Sequence, residues 1–426
     1  MLVMLTRELI EKIYDAANSQ RWKDHLHPHQ GFTELDKQAH KMVIAYVLAK
    51  YEESPENAVN WRALIEGGLF EFLHRTVVTD IKPPVYYELM RGNGREIDGW
   101  VTGRLQPVLR GLGGGFFDAF SAYFAKPQHC AREKRILKAA HYLATNWEFR
   151  IIYRMNKGVV VGIEDTRKEI LSQINDYNAL AGVQKMSGNG KTRKFIDLAG
   201  QLRFQKRWAQ SPRIPETSVM GHMLIVAVFG YFCARALGAS DARIVNDYLC
   251  GLFHDLPEVL TRDIISPVKR SATEIEDKIK KIESGYMREK IFPLLPAAWH
   301  GELKYFTENE FDTRCIKNGA PQKLEGDFVI PPAYDRPELK PVDGVVLKCC
   351  DNLAALIEAV LSYKHGVFSD HLYTAVMNIT KSISGRGADA DAKIAAAGLD
   401  FPKLIDEFSL IEEIKKNHQA RFHYLD

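Results

Sequence analysis

Four residues in the second half of the chain have types and an order suited to holding a metal ion: His222, the adjacent pair His254-Asp255, and Asp351. Two imidazoles and two carboxylates suit a borderline divalent transition metal such as Mn, Co, Fe or Zn better than Mg or Ca. The two carboxylates neutralise the ion, and four protein ligands leave positions for a water and a phosphate oxygen. Water bound to such an ion becomes a nucleophile near neutral pH. Each residue alone has a plainer reading. An isolated histidine on an apolar helix is more often a hydrogen-bonded core residue, and a single His-Asp pair arises by chance in many chains. The argument rests on the combination.

The elements that must position these side chains read as helices. Segments 42–53, 135–155, 165–180, 275–292 and 345–364 place apolar residues on one face with helical period. His222 falls in the helix GHMLIVAVFGYF and Asp351 in VVLKCCDNLAALIEA. His254-Asp255 closes the helical run NDYLCGLFHD just before Pro257, which cannot continue a helix, so both side chains can turn to one point. Strand signals are confined to GVVVGI (158–163) and DFVIPP (327–332). The expected fold class is all-α, and a helical bundle can converge four ligands on one ion.

The chain also repeats itself. TRELIEKIYDAANSQRW (6–22) aligns without a gap on TRKFIDLAGQLRFQKRW (192–208), 68–85 on 251–268, and LKAAHYLA (137–144) on LKCCDNLA (347–354). The offset is 186 at Arg-Trp, 182 at the first His, 183 at Asp80/Asp263 and 210 at His141/Asp351, which locates an insertion in the second copy at about 290–345. That stretch is rich in Pro, Gly and charge and reads as an excursion or flap. Two domains are expected, 1–185 and 186–426, with a break in the polar, Gly-rich segment 182–194. In the first copy the matching places hold Arg21-Trp22, His40, Glu71-Phe72, Arg75, Asp80 and His141. Phe72 cannot ligate and Arg75 cannot act as a base, so this copy reads as degenerate and structural. The alternative is that His40, Glu71 and His141 still hold a metal. His25, His27 and His29 read as a surface loop, or as an adventitious metal site.

Composition narrows the function classes. A net charge of +3 and a pI of about 8.3 argue against a polybasic nucleic-acid binder. Six scattered cysteines form no CxxC pair, so a thiolate zinc site or disulfide framework is not expected and a cytoplasmic setting is. The N-terminus reads as an amphipathic helix rather than a signal peptide. The longest apolar run, 223–237, is too short to span a bilayer and reads as a buried helix. GNGKT (188–192) lacks the first P-loop glycine, since Lys185 stands there, and GLGGG (111–115) has Phe116 where a dinucleotide fingerprint needs its third glycine.

The order His…His-Asp…Asp, with Arg207-Trp208 upstream, His254-Asp255-Leu256-Pro257-Glu258-Val259-Leu260-Thr261-Arg262-Asp263 running to Pro267-Val268-Lys269, and Lys348-Cys349-Cys350-Asp351, resembles the 5′-deoxynucleotidase branch of the HD-domain phosphohydrolases. The resemblance covers about 195–290 and 345–365. It implies two tandem HD-type bundles, the second a metal-dependent phosphohydrolase that removes the 5′-phosphate from (deoxy)nucleoside monophosphates. His222, His254, Asp255 and Asp351 would hold the metal and Glu258 would serve as acid/base. Arg207 would bind the 5′-phosphate, Trp208 would pack at the sugar and disfavour a 2′-hydroxyl, and Asp263 would accept from the 3′-hydroxyl. The partner implied is a small nucleotide, with no nucleic acid and no membrane, and the copies would pack as a pseudo-dimer. The alternatives are hydrolysis of another nucleotide (a dNTP or a signalling nucleotide) and a non-catalytic nucleotide sensor. Two residues depart from the pattern: Gly221 stands where many relatives have an acid, and Arg262 where they have glycine.

Overall fold

The computed structural model describes residues 5–78, 81, 83–208, 210–262, 273–324, 330–384, 401–408 and 414–416. Within them the fold is all-α, with one small antiparallel hairpin, Arg314–Lys317 with Ala320–Lys323. The principal helices of the first half are Arg7–Asn18, Glu34–Glu52, Trp61–Val77 and Ala131–Asn156; those of the second are Val219–Ala236, Asp241–Phe253 and Gly344–Lys364.

The helix starts follow local chemistry. Thr6, Thr33, Asn60, Ser218 and Ser240 each stand before a first turn and accept a backbone N–H three residues on, which satisfies a donor the helix itself cannot. Helix Arg7–Asn18 buries Leu9, Ile10, Ile13, Tyr14, Ala16 and Ala17 on one stripe, and each large apolar side chain so buried stabilises the fold by roughly 1.5–3 kcal/mol. The Val219–Ala236 helix is long and apolar enough to cross a membrane but lies almost wholly within the core.

Both halves share one apolar core, and their opening helices are exchanged. Tyr14 Oη of the first helix donates to the carbonyl of Ala354 in the second half at 2.9 Å, and Glu11 pairs with Lys364 at 2.9 Å. In return, the segment Lys191–Phe204 lies on the first half. Its Ile196 carbonyl accepts from His40 Nε2 at 3.1 Å, Phe204 stacks on Trp147 with centroids 5.8 Å apart, and Arg203 reaches Glu148. The helices bearing His40 and His222 also cross closely. A Cβ at Gly221 would fall 2.9 Å from Asp36 Oδ1 and 3.0 Å from Leu35 Cδ2. The acidic residue that Gly221 replaces would meet the Asp36 carboxylate there.

Three expectations need correction. GVVVGI is not a strand: Gly158 and Gly162 both adopt φ near +80° and break the extended run, leaving Val159 and Val161 exposed before helix Ile163–Asn175. For DFVIPP, residues 325–329 lie outside the described part, and 330–332 form no strand. The insertion is not a bare excursion either. It contains helix His300–Thr307 and the hairpin, whose Asn318-Gly319 turn has positive φ at both positions, the geometry two-residue hairpins require.

Candidate metal centre

His222 sits at the fourth position of its helix and is completely buried. Its Nε2 lies 2.9 Å from Asp351 Oδ1 and 4.0 Å from Asp255 Oδ2. His254 caps the end of helix Asp241–Phe253, and the chain turns there before the short helix Glu258–Thr261, as Pro257 dictates. His254 Nδ1 lies 2.8 Å from the Gly251 carbonyl, which fixes the proton on Nδ1 and leaves Nε2 facing Asp255 Oδ2 at 3.1 Å. Ligand atoms of His222, His254 and Asp255 lie within 4.8 Å of one another, and Asp351 adjoins them through His222.

The donor set fits a divalent ion. His254 Nε2 is buried and faces the Asp255 carboxylate at 3.1 Å, so a proton on Nε2 holds in this structure the place that a divalent ion would take between the two groups. Burial opposes charge on His254, but Asp255 and then Asp351 outweigh it and lift its pKa to about 9. Burial likewise opposes charge on Asp255 and Asp351, yet His254 holds Asp255 ionised well below the usual range, and Lys348 and His222 do the same for Asp351. Two carboxylates stay ionised in a buried site beside two imidazoles, and a cation is what that field favours. Lys348 Nζ holds the second oxygen of Asp351 at 2.7 Å.

Glu258 is buried at the start of its short helix, with its backbone N–H on the Asp255 carbonyl at 3.0 Å. Arg207 lies 3.7 Å from Asp255 Oδ2 and 3.6 Å from Glu358 Oε2. Trp208, at φ +57°, donates its indole N–H to Glu358 Oε2 at 2.8 Å. Arg262 adopts φ +65°, which explains the glycine that the resembled pattern carries there. Asp263 lies outside the described residues.

Sequence reasoning missed three side chains. Glu358 is completely buried and also receives Thr217 Oγ1 at 2.8 Å and Arg213 at 3.1 Å, and it stands 3.7 Å from His222 Nδ1. The 210-residue offset that aligns His141 with Asp351 also aligns Glu148 with Glu358, so the signal was present. Phe311 and Glu310 come from the insertion. The Phe311 ring lies 5.9 Å from that of His254, and Lys348 Nζ stands 4.3 Å from its centroid. The turn carrying both is held by Arg314, which donates to the carbonyls of Tyr305, Asn309, Glu310 and Asp312.

The first half repeats the frame without the ligands. Trp22, at φ +60°, donates to Glu148 Oε2 at 2.8 Å, and Arg21 Nε donates to the same oxygen at 2.9 Å. His40, however, turns to Ile196, Phe72 is buried among apolar groups, Glu71 is paired with Lys41 at 2.5 Å, and His141 faces Lys37 Nζ at 2.5 Å. Ammonium groups thus sit on two of the three side chains considered as metal ligands. His25 pairs with Asp24 at 2.7 Å.

Residues 199–380, which carry the His/Asp cluster, match the family model described as an HD domain. The chain is also similar to several 5′-deoxynucleotidases. A 5′-deoxynucleotidase of Vibrio atlanticus (strain LGP32) is 25% identical over 134 residues, covering 30% of this chain and 69% of the relative. One from Photorhabdus laumondii is 27% identical over 166 residues, 38% of this chain and 74% of the relative. One from Photobacterium profundum is 28% identical over 177 residues, 39% and 77% respectively.

Proposed function

We propose that the second half is a metal-dependent nucleotide phosphohydrolase that removes the 5′-phosphate from deoxynucleoside monophosphates, and that the chain is a tandem duplication, 1–185 and 186–426, whose first copy has no catalytic set. The observation that carries this is the clustering of His222, His254 and Asp255, with Asp351 joined to it at 2.9 Å from His222 Nε2. The activity for which the relatives are named points the same way.

His222, His254, Asp255 and Asp351 would hold one divalent transition metal, which supplies Lewis-acid polarisation of the phosphate and an acidified water. Glu258, one short turn beyond Asp255, takes the proton of the attacking water. Arg207 offers a planar guanidinium to the phosphate from beside Asp255. Trp208 presents one indole face near the sugar while Glu358 fixes its orientation. To Asp263 we assign acceptance from the sugar 3′-hydroxyl. The first half cannot repeat this chemistry, because Phe72 stands where Asp255 does and Arg75 where Glu258 does.

The test is turnover on a panel of deoxy- and ribonucleoside mono- and triphosphates with Mn or Co added. Faster release of phosphate from deoxynucleoside monophosphates supports the proposal. Cleavage of triphosphates alone moves the substrate to the other nucleotides. Binding without turnover on any member, in metal-loaded protein, favours a nucleotide sensor.

A further inference from the structure

One turn of the insertion is built onto the start of the helix that carries Asp351. Arg314, which gathers the turn's carbonyls, also pairs its backbone with Val342: its N–H donates to the Val342 carbonyl at 3.0 Å, and its carbonyl accepts the Val342 N–H at 2.9 Å. Thr313 Oγ1 accepts the Val345 N–H at 3.3 Å. The helix begins at Gly344, where the turn passes so close that a Cβ would strike the Asp312 carbonyl group and the Phe311 carbonyl carbon. Only glycine permits that approach. The backbone of Phe311 is therefore fixed against the first turn of Gly344–Lys364.

Lys348 follows one helical turn after Gly344. Its ammonium stands 4.3 Å from the Phe311 ring centroid and 2.7 Å from Asp351 Oδ2. The electron-rich face of the ring and the carboxylate hold it between them. The Lys348 side chain is partly exposed, and an ion pair so placed holds a flexible stem only weakly by itself. The ring supplies the second point of attachment. Asp351 Oδ1 meanwhile faces His222 Nε2 at 2.9 Å. The two oxygens of Asp351 are thus divided, one to the histidine cluster and one to the lysine.

The first half offers an internal comparison. Residues 134–144 lie ungapped against 344–354. Lys138 stands where Lys348 does and is exposed, His141 stands where Asp351 does, and Lys134 stands where Gly344 does. A lysine side chain at that last place leaves no room for a turn such as the one carrying Phe311. The lysine is common to both halves, whereas the ring and the carboxylate that hold it are present in the second alone.

We infer that Phe311 and Lys348 are positioning residues that restrict Asp351 to ligation through one oxygen. The inference rests on the reading of the metal centre given above. A carboxylate can grip a cation through one oxygen or through both. With Oδ2 held by the Lys348 ammonium, only Oδ1 is offered to an ion beside His222. The second oxygen then takes no position that a substrate needs, and such an open position is what separates catalytic metal sites from structural ones. Phe311 comes from the insertion, so the insertion serves the metal centre through Lys348 and needs no contact with substrate to do so.

The experiment is visible absorption of the full chain loaded with cobalt(II), whose intensity per ion falls as the number of ligand atoms rises. Lys348→Met frees Oδ2 and should retain cobalt at the parent's ratio while losing absorption intensity. Phe311→Leu keeps an apolar side chain but removes the ring, and should shift the spectrum the same way. Phe311→Tyr keeps the ring and should preserve the parent's spectrum, which separates loss of the ring from any disturbance of the turn. In the Lys348→Met background, Phe311→Leu should add nothing, because the ring acts through the lysine. The inference is overturned if Lys348→Met or Phe311→Leu shows the parent's spectrum, or if Phe311→Leu shifts it further when Lys348 is already gone. Turnover plays no part in this readout. A parent chain that takes up cobalt but releases phosphate from no nucleotide removes the nucleotidase reading alone; one that takes up no cobalt removes both.

Discussion

Replacing Glu358 by Gln tests how the second half is held together and how that holding serves the metal centre. The substitution keeps volume and removes charge. In the parent, the buried carboxylate accepts Trp208 at 2.8 Å from a half-buried indole, and Thr217 at 2.8 Å and Arg213 at 3.1 Å within the core. A carboxamide offers one oxygen and turns an NH2 group toward the remaining donors. Arg213 is left buried without its counter-charge, and removing one partner of a buried pair costs about 3–5 kcal/mol. That corresponds to roughly 10²- to 10³-fold or more in the folding equilibrium. The assay is denaturant unfolding, read as a lower midpoint at unchanged slope. Glu148→Gln in the first half is the matched control: it removes the same charge from Trp22, Arg21 and Arg203 and should cost a similar amount. The two should part in metal content. Glu358 stands 3.7 Å from His222 Nδ1, whereas Glu148 contacts none of the four proposed ligands. Metal should be weakened only in Glu358→Gln. A Glu358→Gln protein within about 1 kcal/mol of the parent would refute the buried-pair argument, and equal loss of metal from both variants would refute the link to His222.

Two further outcomes are expected. Elemental analysis of purified protein should find a tightly held divalent metal that Asp255→Ala loses, since one of the neutralising carboxylates goes; unchanged content in that variant would remove Asp255 from the ligand set. Acid should destabilise the first half through His40, whose pKa burial and then Arg203 push down from 6.5 to about 3. Between these values the unfolded chain binds a proton that the folded chain excludes, so stability is full above pH 6.5 and falls as pH drops, by up to about 1.4 kcal/mol per pH unit. His40→Gln keeps a donor for the Ile196 carbonyl and should flatten unfolding midpoints measured between pH 7 and 5; an unchanged slope would show that another group carries it.

Helical period made the long elements legible, because an amphipathic or fully apolar run of that length has few other ways to bury its surface. The same reasoning failed at GVVVGI, where β-branched residues outvoted the two flanking glycines, and it passed over Asn318-Gly319, the strongest local hairpin signal in the chain. The order His…His-Asp…Asp and the resemblance it carries singled out the proposed metal ligands, and the turn expected at His254-Asp255 before Pro257 is present. Phe311 and Glu310 were not. Their position depends on Arg314 gathering four carbonyls from a turn distant in sequence from every ligand, and no periodicity encodes that.

The Arg-Trp dipeptide shows where a sequence repeat and a functional motif separate. Arg207-Trp208 and Arg21-Trp22 are engaged alike: each tryptophan has left-handed φ, each indole N–H meets a buried glutamate at 2.8 Å, and each arginine approaches the same carboxylate. Such a frame resists piecemeal change, since losing either charge strands the other in the core. Metal ligands are under the opposite pressure. Without an ion, clustered carboxylates and imidazoles are a liability, and a phenylalanine in place of one carboxylate and an imidazole in place of the other relieve it. The dipeptide therefore marks the fold in both halves, and in the second half alone it stands beside groups that could act on a phosphate. Arg207 differs from Arg21 in its second neighbour: Asp255 at 3.7 Å, against Glu34 at 2.7 Å. A tight pairing with Glu34 commits Arg21 to the frame, while the looser approach to Asp255 leaves the Arg207 guanidinium beside the proposed metal, where a substrate phosphate would meet it.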